Sequence, residues 1–219
     1  MLLLVLLVSA VVALAVPPQG TVKAATVTST ASCPPPFAQT PSGPGLPAKI
    51  PAPPQRILAC VGAWAITGAT FNHWEIVAGK SEAPRHHQSA AIVKLRIVEA
   101  MEFLIRADWV LEEAQRQRVE VSPRTVRRNF DRIRREQFPG RAEFRAYLKK
   151  SGQTVADLLL RVRLMLLTQA LQGHPVTAGV APKRAFEELA RSLSRTWHAQ
   201  TYCEPAFATL ECGVLRAAP

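Results

Sequence analysis

The sequence predicts an all-α fold, a compact domain of several helices with a minor short-strand element, behind an apolar segment and a proline-rich linker. Two observations support this fold class. Apolar residues recur every three to four positions from residue 89 to about 118, which is the spacing of one helix face. Helix-starting residues such as Ser122-Pro123 and helix-ending residues such as Gly173 divide the rest of the chain into further helices.

The first 54 of the 219 residues lack the pattern of a folded domain. Residues 1–16 (MLLLVLLVSAVVALAV) form an apolar run of the length found in export signals, which predicts a signal peptide or a membrane anchor. Residues 17–54 hold eleven of the 18 prolines and no apolar period, as expected for a disordered, semi-rigid linker. We therefore expect an extracytoplasmic protein, secreted or anchored to the outer face of the cytoplasmic membrane. Its helical domain spans residues 55–202, and a tail follows at 203–219.

The folded part begins with short strands and then becomes helical. The apolar run from Arg56 to Ile66 contains Gly62, which favours one or two short strands around a tight turn. Thr67 can cap a first helix, and Gly79 is a natural stop for it. The long periodic helix then occupies residues 89–118, with Trp109 on its apolar face.

Four further helices follow from local signals. Ser122-Pro123 opens one that ends at Phe138-Pro139-Gly140, and a shorter one runs on to Ser151-Gly152. Thr154 caps the next, which ends near Gln172. The last predicted helix spans Ala185 to His198 and is amphipathic.

The net charge of +11 is concentrated in one part of the chain. Residues 116–150 hold twelve basic and four acidic side chains. Such an arginine-rich face can meet nucleic acid, an anionic membrane or cell-wall surface, or acidic polypeptides. Export argues against nucleic acid. We expect four arginines of this face to attract acidic chains: Arg127, Arg128, Arg134 and Arg135.

The aromatic residues allow two interpretations. They can pack the core, which is the usual role of large aromatic side chains, or they can line a cleft for apolar segments of a polypeptide. The candidates for such a polypeptide-binding surface are Phe71, Trp74, Trp109 and Phe144.

The four cysteines predict a disulfide and no metal site. No CxxC pair is present, and no histidine lies at ligand spacing. Cys203 and Cys212 enclose a turn-like Glu-Pro, which favours a disulfide between them in an oxidising compartment over free thiols. The state of Cys33 and Cys60 stays open. No catalytic motif or phosphate-binding loop is found, so we expect no catalytic residue, cofactor or metal.

Several short motifs occur in one order along residues 61–171 and again near the C-terminus. They are Ile66–Trp74, Glu102–Ile105 with Trp109, Glu113-Ala114, Val121-Ser122, Phe138-Pro139 with Phe144, Ser151–Thr154, Asp157–Leu159, Arg161–Leu164, and Trp197–Cys203 with Cys212. This series resembles the N-terminal helical chaperone domain of SurA-like and PrsA-like extracytoplasmic foldases, and its end is similar to that of exported actinobacterial-type members.

The resemblance implies a chaperone-like protein that binds unfolded or newly translocated polypeptides. It also implies that the C-terminal helix packs back on the preceding helices. Members of that family commonly carry a parvulin-type prolyl isomerase domain before the last helix, but only residues 173–183 lie there in this chain. A domain needs roughly 50 residues, so the isomerase domain is missing. Two alternatives remain open: an isomerase-family enzyme with residual or lost activity, and a basic protein that binds anionic lipid or cell-wall polymers. The oligomeric state is also open.

Overall fold

The computed structural model describes residue 33 and residues 51–81, 90–173 and 182–215. The apolar segment at 1–16 and nearly all of the linker at 17–54 lie outside the described residues. The helices are α1 (Gly68–Ser81), α2 (Ala90–Arg116), α3 (Pro123–Gln137), α4 (Arg141–Ser151), α5 (Val155–Gln172) and α6 (Pro182–Trp197). The strands are β1 (Ile57–Val61), β2 (Trp64–Thr67), β3 (Thr201–Cys203) and β4 (Val214–Leu215). The described chain is thus mostly helical, with a four-stranded sheet. No helix within these ranges is long and apolar enough to cross a membrane.

Side-chain caps start three of the helices where the sequence places them. The backbone N–H of Thr70 donates to Thr67 Oγ1 at 3.3 Å, and that of Thr125 donates to Ser122 Oγ at 3.1 Å. At the start of α5, Thr154 and Asp157 cap each other reciprocally. These caps supply side-chain acceptors to backbone N–H groups that the first helical turn leaves unpaired.

Helix α1 continues through Gly79, where the sequence predicts its end. A glycine inside a helix costs about 1 kcal/mol relative to alanine, but here the missing side chain makes room for a neighbour. A Cβ at this position would lie 2.7 Å from Arg96 Nη1 of α2. Arg96 in turn pairs with Glu75 of α1 at 3.3 Å. The close packing of the two helices therefore outweighs the local stop signal.

The sheet has the strand order β2-β1-β3-β4 and joins the two ends of the domain. Strands β1 and β2 form the expected hairpin, in which Gly62 has a φ of +53°. Strand β3 pairs antiparallel with β1, and β4 pairs parallel with β3. Residues 203–215 are therefore part of the folded domain, which corrects the expected boundary of a tail at 203. The free edge of β1 gains backbone partners from β3 that its own hairpin cannot provide.

The domain also begins earlier than Gln55. Ala52 is buried, and its backbone N–H and carbonyl both pair with the side-chain amide of Asn72, at 2.8 and 2.7 Å. Cys33 is joined by a disulfide to Cys60 of β1. The start of the folded part is thus set by long-range contacts that composition does not reveal.

The core has two parts. The main core lies between the sheet, α1, α2, α5 and α6, and Leu193 and Trp197 of α6 are buried in it. The last helix therefore packs back on the others, as expected. A smaller core joins α3 to α5 through Val126, Phe130 and Val162. Helix α4 has no fully buried residue. The α3–α4 hairpin thus lies at the periphery of the domain.

Candidate functional site

Three of the four aromatic candidates for a polypeptide-binding surface lie in the core. Phe71 is 0 % exposed, and Trp74 and Trp109 are each 5 % exposed. Because a bound chain cannot reach them, their assignment to a binding surface is corrected to core packing. Phe144 of α4 is only half-buried and remains accessible.

Elements distant in sequence cover these three side chains. Phe207, from the supposed tail, packs edge-on against Phe71 with ring centroids 5.0 Å apart. The Nε1 of Trp109 donates to Thr201 Oγ1 at 2.8 Å. The guanidinium of Arg161 lies 5.0 Å from the ring centroid of Trp74. The periodicity of α1 and α2 identified the aromatic faces but could not show what lies against them.

The α3–α4 hairpin, residues 123–151, carries most of the positive charge, and we call it the basic hairpin. It holds ten basic and three acidic side chains, a net charge of +7 out of +11 for the whole chain. Its basic residues are Arg124, Arg127, Arg128, Arg132, Arg134, Arg135, Arg141, Arg145, Lys149 and Lys150.

The arginines expected to attract acidic chains all lie on this hairpin. Arg127, Arg128 and Arg135 are exposed, and Arg134 is half-buried. Arg134 has only a long contact to Asp131, at 4.0 Å. Within the described ranges, no acidic side chain pairs with Arg127, Arg128 or Arg135. Their charges are thus available to a partner.

Half-buried aromatic side chains lie beside these arginines. Phe138 lies between Phe144 and Tyr147, with ring centroids 5.3 and 5.1 Å away. All three rings are half-buried, and we call them the aromatic cluster. The guanidinium of Arg134 lies 6.0 Å from the Phe144 centroid. The hairpin therefore offers cationic and apolar groups on one surface.

Sequence reasoning missed two members of the aromatic cluster, Phe138 and Tyr147. The Phe-Pro-Gly turn that begins at Phe138 predicts the end of a helix and does not by itself indicate a binding surface. An aromatic residue placed directly between arginine-rich helices is a signal that could have identified it. Tyr147 follows Phe144 by three residues, which places both on one face of α4.

A surface pocket of about 220 Å³ lies at the turn between α3 and α4. We call it the arginine pocket. Its lining combines three arginines with the Phe-Pro-Gly turn: Arg134, Arg135, Phe138, Pro139, Gly140 and Arg141.

A buried carboxylate holds α6 against α2. Glu113 is 2 % exposed and accepts hydrogen bonds from Trp197 Nε1 at 3.1 Å, from Arg116 Nε at 2.9 Å and from Gln117. Burial by itself would raise the pKa of Glu113, but the hydrogen bonds from these three donors outweigh it and lower that pKa. Glu113 thus acts as a structural acceptor.

Other ionisable groups also link elements of the domain. His73 Nε2 of α1 lies 2.9 Å from Asp157 Oδ2, which is the same oxygen that caps the start of α5.

Across the parts of the chain that the structure describes, no group of three or more His, Cys, Asp or Glu side chains is arranged to hold a metal ion.

All four cysteines are in disulfides. The expected bond between Cys203 and Cys212 is confirmed, with a Cα–Cα distance of 5.7 Å. A second bond, which the sequence left open, joins Cys33 to Cys60 across 27 positions of the chain. Disulfides form and persist mainly in oxidising compartments.

Comparison with known proteins returned no match: no protein-family model, no curated protein and no solved structure is significantly similar to this chain. Its function is therefore argued from its own surface and chemistry.

Proposed function

We propose that this protein is an extracytoplasmic, chaperone-like binder of unfolded or newly translocated polypeptides, which acts by reversible binding. On this proposal it is a helical domain of the SurA-like kind without the parvulin isomerase domain. The observation that carries the proposal is the basic hairpin, where unpaired arginines and the half-buried aromatic cluster share one surface.

Unfolded polypeptides offer the groups that such a surface binds. They expose carboxylates. They also expose aromatic and aliphatic side chains, and folded proteins largely bury those apolar side chains. Arginine suits both kinds of group, because its guanidinium pairs with carboxylates and its stem covers apolar surface. The hairpin is peripheral, and α4 buries no residue fully, so an extended chain can reach the surface without opening the main core.

Two further features support an extracytoplasmic site of action. Residues 1–16 have the composition of an export signal. The two disulfides are of the kind that exported domains use.

The proposal is tested by asking whether the full, oxidised chain suppresses aggregation of a chemically unfolded client at near-stoichiometric ratio. Phe138→Ala, which removes the central ring of the aromatic cluster, is expected to weaken suppression several-fold. The matched control is Phe186→Ala, because Phe186 is 55 % exposed but lies on α6, outside the basic hairpin. Suppression should persist in moderate salt, since apolar contacts are not screened. Equal effects of the two substitutions would contradict the assignment to the hairpin.

The charge of the basic hairpin favours a second candidate, a protein that binds anionic lipid or cell-wall polymers. A net charge of +7 on 29 residues is enough to attract an anionic surface, at about 1 kcal/mol per basic residue near a membrane. Binding to phosphatidylglycerol vesicles that disappears as salt rises, together with no suppression of aggregation, would select this candidate. Arg127→Gln with Arg128→Gln should then weaken vesicle binding strongly.

A further inference from the structure

We infer that the arginine pocket is a binding site for a carboxylate that has an apolar side chain next to it in a polypeptide. The inference rests on the proposed function, since it names the feature of an unfolded chain that the basic hairpin recognises. It assigns a specific site and a class of ligand to the basic hairpin.

The arginines that line the pocket are available to bind an anionic ligand. Arg135 and Arg141 are exposed, and neither has an ion-pair partner among the described residues. Arg134, the third guanidinium, has its nearest paired carboxylate, Asp131, at 4.0 Å. A planar guanidinium binds a carboxylate through two parallel N–H···O bonds. Three arginines in one lining favour a carboxylate over a neutral group.

The lining of the pocket also includes apolar groups. Phe138 and Pro139 form part of the lining, and Gly140 adds no side chain to it. The volume of about 220 Å³ is below the range of about 300–1,000 Å³ that is typical for small-molecule sites. It therefore suits a short segment of one or two residues, whose apolar part contacts Phe138 and Pro139 while a carboxylate meets the arginines.

The apolar part of the lining also distinguishes a polypeptide from a phosphate-bearing ligand. A phosphate or a lipid headgroup would use only the arginines and would gain nothing from contact with Phe138 and Pro139. A carboxylate beside an apolar side chain uses both kinds of lining group.

Glu143 lies next to Gly140, which is one of the lining residues, and it opposes such a ligand. A Cβ built at Gly140 would be 2.7 Å from Glu143 Oε2, so this carboxylate lies beside the start of α4. Its negative charge repels an incoming carboxylate. The inference therefore includes a gain of binding: Glu143→Gln should tighten the complex about twofold or more, because removing a nearby like charge lowers the cost of binding.

The carboxylate can come from an acidic side chain or from the C-terminus of a chain. Three synthetic peptides distinguish these two sources. Three decapeptides of glycine and serine carry a neutral fluorophore. The first contains a central glutamate–leucine pair and an amidated C-terminus. The second contains glutamine–leucine and ends in leucine with a free carboxylate. The third contains glutamine–leucine and an amidated C-terminus, so it has no carboxylate. Binding to the full, oxidised chain is followed by fluorescence anisotropy.

Two double variants with equal loss of charge locate the site. Arg135→Gln with Arg141→Gln removes two guanidinium groups of the pocket, whereas Arg124→Gln with Arg145→Gln removes two exposed arginines elsewhere on the basic hairpin. The pocket variant should bind the carboxylate peptides about tenfold more weakly, and the control variant less than about threefold. Circular dichroism checks that both variants are folded.

Several outcomes would overturn the inference. They are equal weakening by the two double variants, binding of the carboxylate-free peptide as tight as that of the others, and no tightening by Glu143→Gln. Phosphatidylglycerol vesicles that bind with the same pocket dependence while the peptides do not would also overturn it.

Aggregation suppression by the same variants keeps the two proposals apart. If the peptides bind the pocket but the chain does not suppress aggregation, the site stands and the chaperone-like function fails. If the chain suppresses aggregation but the pocket variant is weakened neither in suppression nor in peptide binding, the function stands and the site fails.

Discussion

Asp108 makes the domain less stable as pH rises, and this can be tested by one substitution. The side chain is half-buried on α2, four residues before Glu112. Burial, and secondarily the negative charge of Glu112, raise the pKa of Asp108 from 3.8 to about 7. The stability that the protonated carboxyl allows is fully present below pH 3.8. It decreases progressively from pH 3.8 and is fully lost once pH has risen through about 7, because over this range the unfolded state carries the charge without cost and the native state does not.

The size of this effect follows from the shift in pKa. A shift of about three units corresponds to at most ~4 kcal/mol, since each unit is 1.36 kcal/mol. Asp108 is only half-buried, so solvent reduces the cost of its charge, and we expect about 2 kcal/mol. Asp108→Asn keeps the shape of the side chain and removes the charge. It should therefore raise the melting temperature by roughly 4–8 °C at pH 8 and leave it nearly unchanged at pH 4.

The assay is thermal unfolding of both proteins, followed by circular dichroism, at one-unit steps from pH 4 to pH 8. Glu120→Gln is the matched control, because Glu120 is an exposed carboxylate between α2 and α3 and its neutralisation should change little. A difference between Asp108→Asn and wild type that stays constant across the pH range would refute the reasoning. So would a destabilised variant at pH 8.

Three further predictions concern how the C-terminal segment and α6 are held. Replacing Cys203 and Cys212 by serine opens a loop of nine positions. This should lower the free energy of unfolding by about 2.5 kcal/mol, measured by urea denaturation without reductant. An unchanged denaturation midpoint would contradict this prediction. Phe207→Ala should cost about 3–5 kcal/mol in the same assay, because the ring is 2 % exposed and leaves a cavity in the core; a loss below 1 kcal/mol would show that residues after 203 are not part of the domain. Glu113→Gln should cost about 1–3 kcal/mol at pH 7, since Trp197 Nε1 and its neighbours lose a charged acceptor. The lowered pKa of Glu113 means that this stabilisation is present above pH 4.5 and disappears at lower pH, so the two proteins should converge in acid.

The helices show how far local signals reach. Ser122-Pro123 and Thr154 start α3 and α5 where the sequence places them, because a cap needs only residues within one turn. Gly79 does not end α1, since Arg96 from another helix fills the space that the glycine leaves. The low helix propensity of a glycine can end a helix by itself only where no neighbouring element packs against that glycine.

The candidate site shows the same division. The sequence located the excess of arginine on the segment that forms the basic hairpin, because charge is a property of composition. It could not sort the aromatic residues into core and surface. Phe71 is buried by Phe207, which follows 136 positions later, whereas Phe138 is half-buried at a turn.

The sequence by itself determined the predominantly helical class, most helix starts, the basic segment and the disulfide between Cys203 and Cys212. Each of these depends on residues close together along the chain. Only the tertiary structure decided that β3 and β4 complete the sheet, that Cys33 pairs with Cys60 and that the arginine pocket lies at the α3–α4 turn. Strand pairing, long-range disulfides and pockets depend on which distant segments meet, and the packing of the whole core sets those meetings.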